Sequence, residues 1–210
     1  TPEQGLIYDA KNLAFILPAG KYIGNSRYKD VFAASAVADL TSFRNHWGAE
    51  TSLDVELYRP VARYELVAKD VATFLNKLST GGLKGESFTA RVKYSDYLPT
   101  GYNLWDDVPK NSLMYMEYKV AFERPADGTK ELILGFDYVL TDAGETVSIP
   151  VELEILNEKN EVLARTAFRI PCERGKNTTV RGNFLTSDAN GGIGIDPDYD
   201  GDLEVDLGEL

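Results

Sequence analysis

Apolar residues recur at every second position over long stretches of this chain, and that period of two dominates its hydrophobic pattern. Phe88, Ala90, Val92 and Tyr94 alternate with Thr89, Arg91 and Lys93. Met116, Tyr118, Val120 and Phe122 form one further face, and Leu132, Leu134, Phe136, Tyr138 and Leu140 form another. Ile149, Val151, Leu153 and Ile155 alternate with Pro150, Glu152 and Glu154. A polar loop over 157–161 turns the chain, and Val162, Ala164, Thr166, Phe168 and Ile170 return it. Half-buried strands joined by short polar turns predict a mainly β protein of antiparallel β-sandwich construction.

The first half of the chain is more mixed. The run LAFIL (13–17), closed by Pro18 and Gly20, reads as a short buried strand. VFAASAVADL (31–40) fits strand or helix, since its alanines favour helix and its flanks provide no cap. Leu53, Val55 and Leu57 occupy odd positions, whereas Ala62, Tyr64, Leu66 and Ala68 occupy even ones. A one-residue change of phase turns every side chain to the other face, so a β-bulge or bend is expected at Arg59-Pro60. Asp70 stands at the N-cap of a helix over 71–78, whose Val71, Phe74, Leu75 and Leu78 fall on one face. Residues 98–112, rich in Pro, Asn and Asp, form the expected junction between an N-terminal domain (1–108) and a C-terminal domain (109–210).

Composition narrows the function. With 210 residues, 43% of them hydrophobic, the chain can bury a substantial core. Its net charge of −11 argues against nucleic acid and against docking on anionic lipid. Cys172 is the only cysteine, so no intrachain disulfide forms, and no apolar run reaches the length of a membrane helix. TPEQGLIYDA carries no signal peptide, as is also true of a mature form whose export signal has been removed.

Candidate chemistry is sparse. Asp196, Asp198, Asp200 and Asp202 with Gly201 resemble the start of a calcium loop. However, Leu207 stands where the bidentate Glu belongs and Pro197 interrupts the loop, so it reads as a solvated acidic turn. His46, the only histidine, has no triad context and reads as a loop residue; Cys172, after Pro171, reads as a packing residue at a strand end. GGLKG (81–85) lacks the ending of a phosphate loop. Tyr97, Tyr102 and Trp105 cluster in the junction; Tyr102 and Trp105 are the candidates for stacking on a sugar ring, against the alternative that they pack between domains. Leu203, Val205 and Leu207 alternate with acidic residues as a last strand. It either completes its own sheet or is donated to a neighbour by strand addition.

Several stretches taken together resemble one family. ELYRPVARYELVAKD (56–70), YLPTGYNLWDD (97–107), LGFDYVL (134–140), IPCERGKNTTVRGNFLT (170–186) and IGIDPDYDGDLEV (193–205) are similar in order and spacing to the fimbrillin-like cell-surface proteins of Bacteroides-type bacteria. The resemblance covers most of residues 28–207. It implies two transthyretin-like β-sandwich domains, a lipoprotein precursor carried to the outer membrane, and pilus subunits joined by a strand from one filling a groove in the next. Arg59-Pro60-Val61-Ala62 and the Thr178 to Thr186 strand match structural signatures of that family. The first domain is short by comparison, and is expected to be incomplete at its start or divergent.

The resulting expectation is a non-enzymatic structural or adhesive subunit at the cell surface, with no catalytic residue, cofactor or metal. Its expected partners are other pilus or surface subunits, itself included, and a host or glycan ligand, with no nucleic acid and no membrane span. Leu203, Val205 and Leu207 are the candidate donated strand. A carbohydrate-binding module using Tyr102 and Trp105 is the alternative.

Overall fold

In the computed structural model, residues 7–12, 14–187 and 204–206 are described. Among the described residues, twelve strands lie in the order β1 (Tyr8–Asn12), β2 (Phe15–Pro18), β3 (Val61–Ala68), β4 (Ser87–Tyr94), β5 (Leu98–Asn103), β6 (Val108–Leu113), β7 (Glu117–Glu123), β8 (Leu132–Leu140), β9 (Thr146–Asn157), β10 (Val162–Glu173), β11 (Asn177–Gly182) and β12 (Glu204–Asp206). One helix, α1 (Val71–Ser79), follows β3. The strands make three four-stranded sheets, ordered β10-β9-β4-β7, β12-β11-β3-β8 and β1-β2-β5-β6.

The alternating residues of the first two sheets meet in a common core. Tyr64, Leu66, Leu134 and Val180 come from one sheet, and Phe88, Ala90, Val92, Val151, Leu153 and Ile155 from the other. Each side chain removed from water here stabilises by roughly 1.5–3 kcal/mol before conformational entropy is set against it. Helix α1 carries the chain from β3 to β4 and adds the apolar face read from its periodicity: Val71, Phe74, Leu75 and Leu78 are all buried. Phe74 meets Phe88 edge-on at 5.1 Å. The third sheet packs on a smaller cluster of Val61, Tyr102 and Leu140.

The mainly β, sandwich-type architecture is as the alternation predicts, with one helix in the expected place. Several local readings change. Asp70 occupies the N-cap position, but its side chain does not cap α1. It accepts hydrogen bonds instead from Leu185 N (3.0 Å), Thr186 N (2.9 Å) and Thr186 Oγ1 (2.7 Å). Residues 53–57 are not a strand; Leu53, Val55 and Leu57 are exposed, and only an isolated bridge pairs Tyr58 with Ala33. The chain does bend at Pro60, as expected, and the change of phase falls at the start of β3 and not at a bulge within one strand. Residues 31–40 form neither helix nor strand beyond that bridge. One pair of neighbours, β3 and β11, is parallel.

Residue 108 does not separate the strands into two sets. β3 pairs with β8 and β11, and β4 lies between β7 and β9. The stretch 98–112, read as a linker because of its Pro, Asn and Asp content, is the β5–β6 hairpin, with Asn103 opposite Val108. Asp107, in its turn, and Asn111, within β6, take positive φ, a conformation that short polar side chains tolerate.

The most consequential departure lies in β8. Leu66 pairs with Gly135 and Val67 with Ile133, so Leu134 is an extra residue in the ladder. Gly135 adopts φ +152°, and a Cβ there would come within 3.1 Å of Tyr118 and Val120. This bulge reverses the alternation. Leu134 faces the core before it, whereas Asp137 (0% exposed) and Val139 (1%) face the core after it. Phe136 and Tyr138, expected inside, turn to the opposite face.

Candidate functional site

Polar chemistry or an open sheet edge is concentrated at several places among the described residues. The first is the core-facing side of β8, where the bulge turns Asp137 inward. A single 3-10 turn, Arg27–Lys29, brings Lys29 against it, and Nζ lies 2.6 Å from Asp137 Oδ1. Neither side chain is accessible: Lys29 is 7% and Asp137 0% exposed. Tyr22 and Tyr94 both donate to Asp137 Oδ2, the latter at 2.7 Å, and the backbone N–H of Tyr138 donates to Oδ1 at 2.8 Å. Tyr64 Oη is 2.7 Å from Tyr94 Oη and 3.2 Å from Tyr118 Oη, extending the network across the core.

Burial sets the electrostatics here. It raises the hydroxyl pKa of Tyr22, Tyr64, Tyr94 and Tyr118 well above the ordinary tyrosine value, and the Asp137 charge adds to the rise. Burial lowers the Lys29 ammonium pKa, against the opposing pull of Asp137. The outer wall is a cleft of about 30 Å³ lined by Tyr8, Lys21, Tyr22, Lys29 and Tyr138 among others. That volume holds about one water, not an organic ligand.

The second place is the β5–β6 turn. Arg174, in the turn after β10, forms a two-pronged ion pair with Asp107 at 2.5 and 2.7 Å. Its guanidinium also stacks 4.2 Å above the Tyr58 ring and donates to Tyr102 Oη at 2.8 Å. Tyr58 and Tyr102 donate to Asp107 in turn. The Arg174 hydrogen bonds, more than any other cause, hold the Asp107 carboxyl down at about 2. At the tip, Asn103 Oδ1 accepts from Trp105 N (3.0 Å) and Asp106 N (3.3 Å). The result is a braced turn that presents Trp105 with 78% of its surface exposed.

Of the two residues expected to stack on a sugar, only Trp105 is accessible. Tyr102 is fully buried, because its ring fills the small third-sheet core and its hydroxyl is engaged by Asp107 and Arg174. Tyr97 is 61% exposed, but the six-residue strand β5 separates it from Trp105, roughly 20 Å at strand rise. Tyr97 and Trp105 are thus exposed, whereas Tyr102 packs against Val61 and Leu140.

The third place is the edge of the sheet ordered β12-β11-β3-β8. β12 runs antiparallel to β11, with Asp206 opposite Asn177, Val205 opposite Thr178 and Glu204 opposite Thr179. Val205 is thus placed in a strand of its own sheet, while Leu203 and Leu207 lie outside the described residues, as does the acidic turn Asp196 to Asp202. Gly182, at the end of β11, sits so close to the Phe184 ring that a Cβ would approach it to 2.7 Å, the close approach that a glycine in a strand signals.

The remaining candidates are structural. His46 is exposed, its Nδ1 2.9 Å from Ser42 O. Cys172 is the penultimate residue of β10 and is buried in the core, a packing residue at a strand end as expected, and burial pushes its thiol up to about 12, far from a reactive thiolate. Among the described residues no group of His, Cys, Asp and Glu has the arrangement of a metal site. No helix among them is long and apolar enough to cross a membrane.

No curated protein matches the chain. A candidate cell adhesion protein from Bacteroides ovatus ATCC 8483 has a crystal structure similar over 60% of this chain, at 13% identity and a TM-score of 0.36. The match spans 41% of that protein's chain. The model of DUF6562, a family of unknown function, matches residues 1–208, and the chain belongs to that family.

Proposed function

We propose that this protein is a non-enzymatic structural or adhesive subunit of the cell surface, resembling fimbrial components, and that copies associate by exchanging a strand at the β11 edge. The observation that carries the reading is the position of β12. It is the shortest of the described strands, three residues, and the outermost in its sheet. Its described pairs engage only Asn177, Thr178 and Thr179, the first half of β11. A strand held by so few backbone bonds exchanges readily for the same strand of another copy, and an edge without it is a template for pairing. The polar clusters support a structural role, since the charges of Asp137, Asp107 and Glu154 are each satisfied by side chains of the fold itself.

The test is a chain ending at residue 202 titrated with a peptide of residues 203–207. Saturable binding in trans, lost when the peptide carries Pro at position 205, is the expected result. No binding to the shortened chain rejects strand exchange at this edge.

The braced Trp105 favours a second reading, a carbohydrate-binding surface module. Trp105→Ala is expected to abolish retention on a glycan array without shifting the unfolding midpoint. Retention unchanged by the substitution removes this reading.

A further inference from the structure

The Lys29–Asp137 pair on the core-facing side of β8 has a geometry that a simple ion pair does not require. Two charges withdrawn from water at this site are costly to keep ionised, and their mutual attraction in a low-dielectric interior compensates only in part. We propose that Lys29 and Asp137 join covalently, as an intramolecular amide between Lys29 Nζ and Asp137 Cγ.

The reaction balances without any further reagent. Proton transfer from the ammonium to Asp137 Oδ1, 2.6 Å away, gives a neutral amine beside a neutral carboxylic acid. Nζ attacks Cγ, the Cγ–Oδ1 bond breaks, and Oδ1 departs with its own proton and one taken from the nitrogen. Ammonium plus carboxylate becomes amide plus one water, with no change of oxidation state.

The surroundings match each step. Nζ and the carboxylate are held in contact, which replaces a bimolecular encounter with an intramolecular one. Oδ2, which carries the negative charge of the tetrahedral intermediate, already accepts hydrogen bonds from the Tyr22 and Tyr94 hydroxyls, in the manner of an oxyanion hole. Tyr22 Oη also lies 3.1 Å from Nζ and is placed to relay a proton between nitrogen and oxygen. The expelled water has somewhere to go, because the cleft of about 30 Å³ beside Lys29 and Tyr22 has room for it. The bond fastens the segment preceding β3 to β8, the strand at one edge of its sheet. It goes beyond the assignment as a surface subunit and does not depend on association between copies.

The experiment is intact-mass measurement of the full chain under denaturing conditions, followed by proteolysis and peptide sequencing. The expected mass is that of the sequence less one water, with a branched peptide linking Lys29 to Asp137, and Lys29→Arg restores the full mass. A chain of full mass overturns the proposal. So does a water loss that persists in Lys29→Arg or that maps to other residues, as succinimide formation at another Asp would give.

Discussion

Tyr64 on β3 and Asp137 on β8 stand directly opposite each other in the ladder, and both point into the core. That pairing of a carboxylate with a ring of tyrosines exists only because β8 gains a residue at Leu134. An unpaired Asp137 in this position has no solvent to turn to. Replacing Lys29 by Met removes its ion-pair partner and leaves only hydrogen bonds to hold the charge, a change that typically costs about 3–5 kcal/mol. Urea unfolding of Lys29→Met and of the double variant Lys29→Met/Asp137→Leu measures this, since neither can make the amide. The double variant is expected to be the more stable by a large part of that amount.

The bulge itself depends on Gly135. Any Cβ at its φ of +152° is strained and meets Tyr118 and Val120 at 3.1 Å. Gly135→Ala is expected to lower stability by about 1–3 kcal/mol. Gly20→Ala, with open space around it, should change stability by less than about 0.5 kcal/mol. Equal effects of the two substitutions in chemical denaturation would contradict the role given to Gly135.

The same glycine marks how far the sequence could be read. Where alternation is unbroken, as in Ser87–Tyr94, the inward face is legible residue by residue and the structure keeps it. Helix α1 is legible because four apolar residues at helical spacing have no competing reading. In β8 the alternation continues through Phe136 and Tyr138 although the faces exchange, since a bulge changes the register without changing the pattern. Gly135 within a strand was the available signal. Lys29 and Arg174 gave none: each lies in a short polar turn, and its partner is more than 60 residues away in the chain. Leu53, Val55 and Leu57 alternate but find no neighbouring strand among the described residues beyond the Ala33–Tyr58 bridge, so periodicity without pairing misled.

Asp70 ties the start of α1 to the turn after β11 through hydrogen bonds from three donors, Leu185 N, Thr186 N and Thr186 Oγ1. Asp70→Ala leaves the amides of Leu185 and Thr186 without that acceptor, a loss of about 1–3 kcal/mol. Faster hydrogen exchange at those two amides, with α1 less affected, is the expected signature. Exchange accelerating first in α1 would mean that Asp70 acts mainly as a helix cap.

Glu154, on the outer face of β9, gathers Arg91, Lys93 and Arg165 around a carboxylate with no exposed surface. Burial alone would raise its pKa, but the hydrogen bonds from Lys93, Arg91 and Arg165 outweigh it and hold the group down at about 2. A carboxyl lowered from 4.5 on folding contributes stability that is fully present above 4.5 and is lost as pH falls towards about 2. Stability measured across that window should fall less steeply for Glu154→Gln than for the parent chain. Parallel pH profiles would show that the cluster contributes nothing to acid sensitivity.

Strand exchange between copies is tested most directly by two single-cysteine chains, Thr179→Cys in one and Glu204→Cys in the other. These positions face each other in the β11–β12 register. Because each chain carries only one of the two new thiols, and Cys172 is buried, a disulfide between positions 179 and 204 forms only when β12 of one copy lies on β11 of another. The account predicts a disulfide-linked pair of unlike chains on mild oxidation of the mixture, mapped to those two positions. Oxidation that yields no more of this pair than a mixture with the cysteine at exposed Lys84 instead of 204 contradicts it.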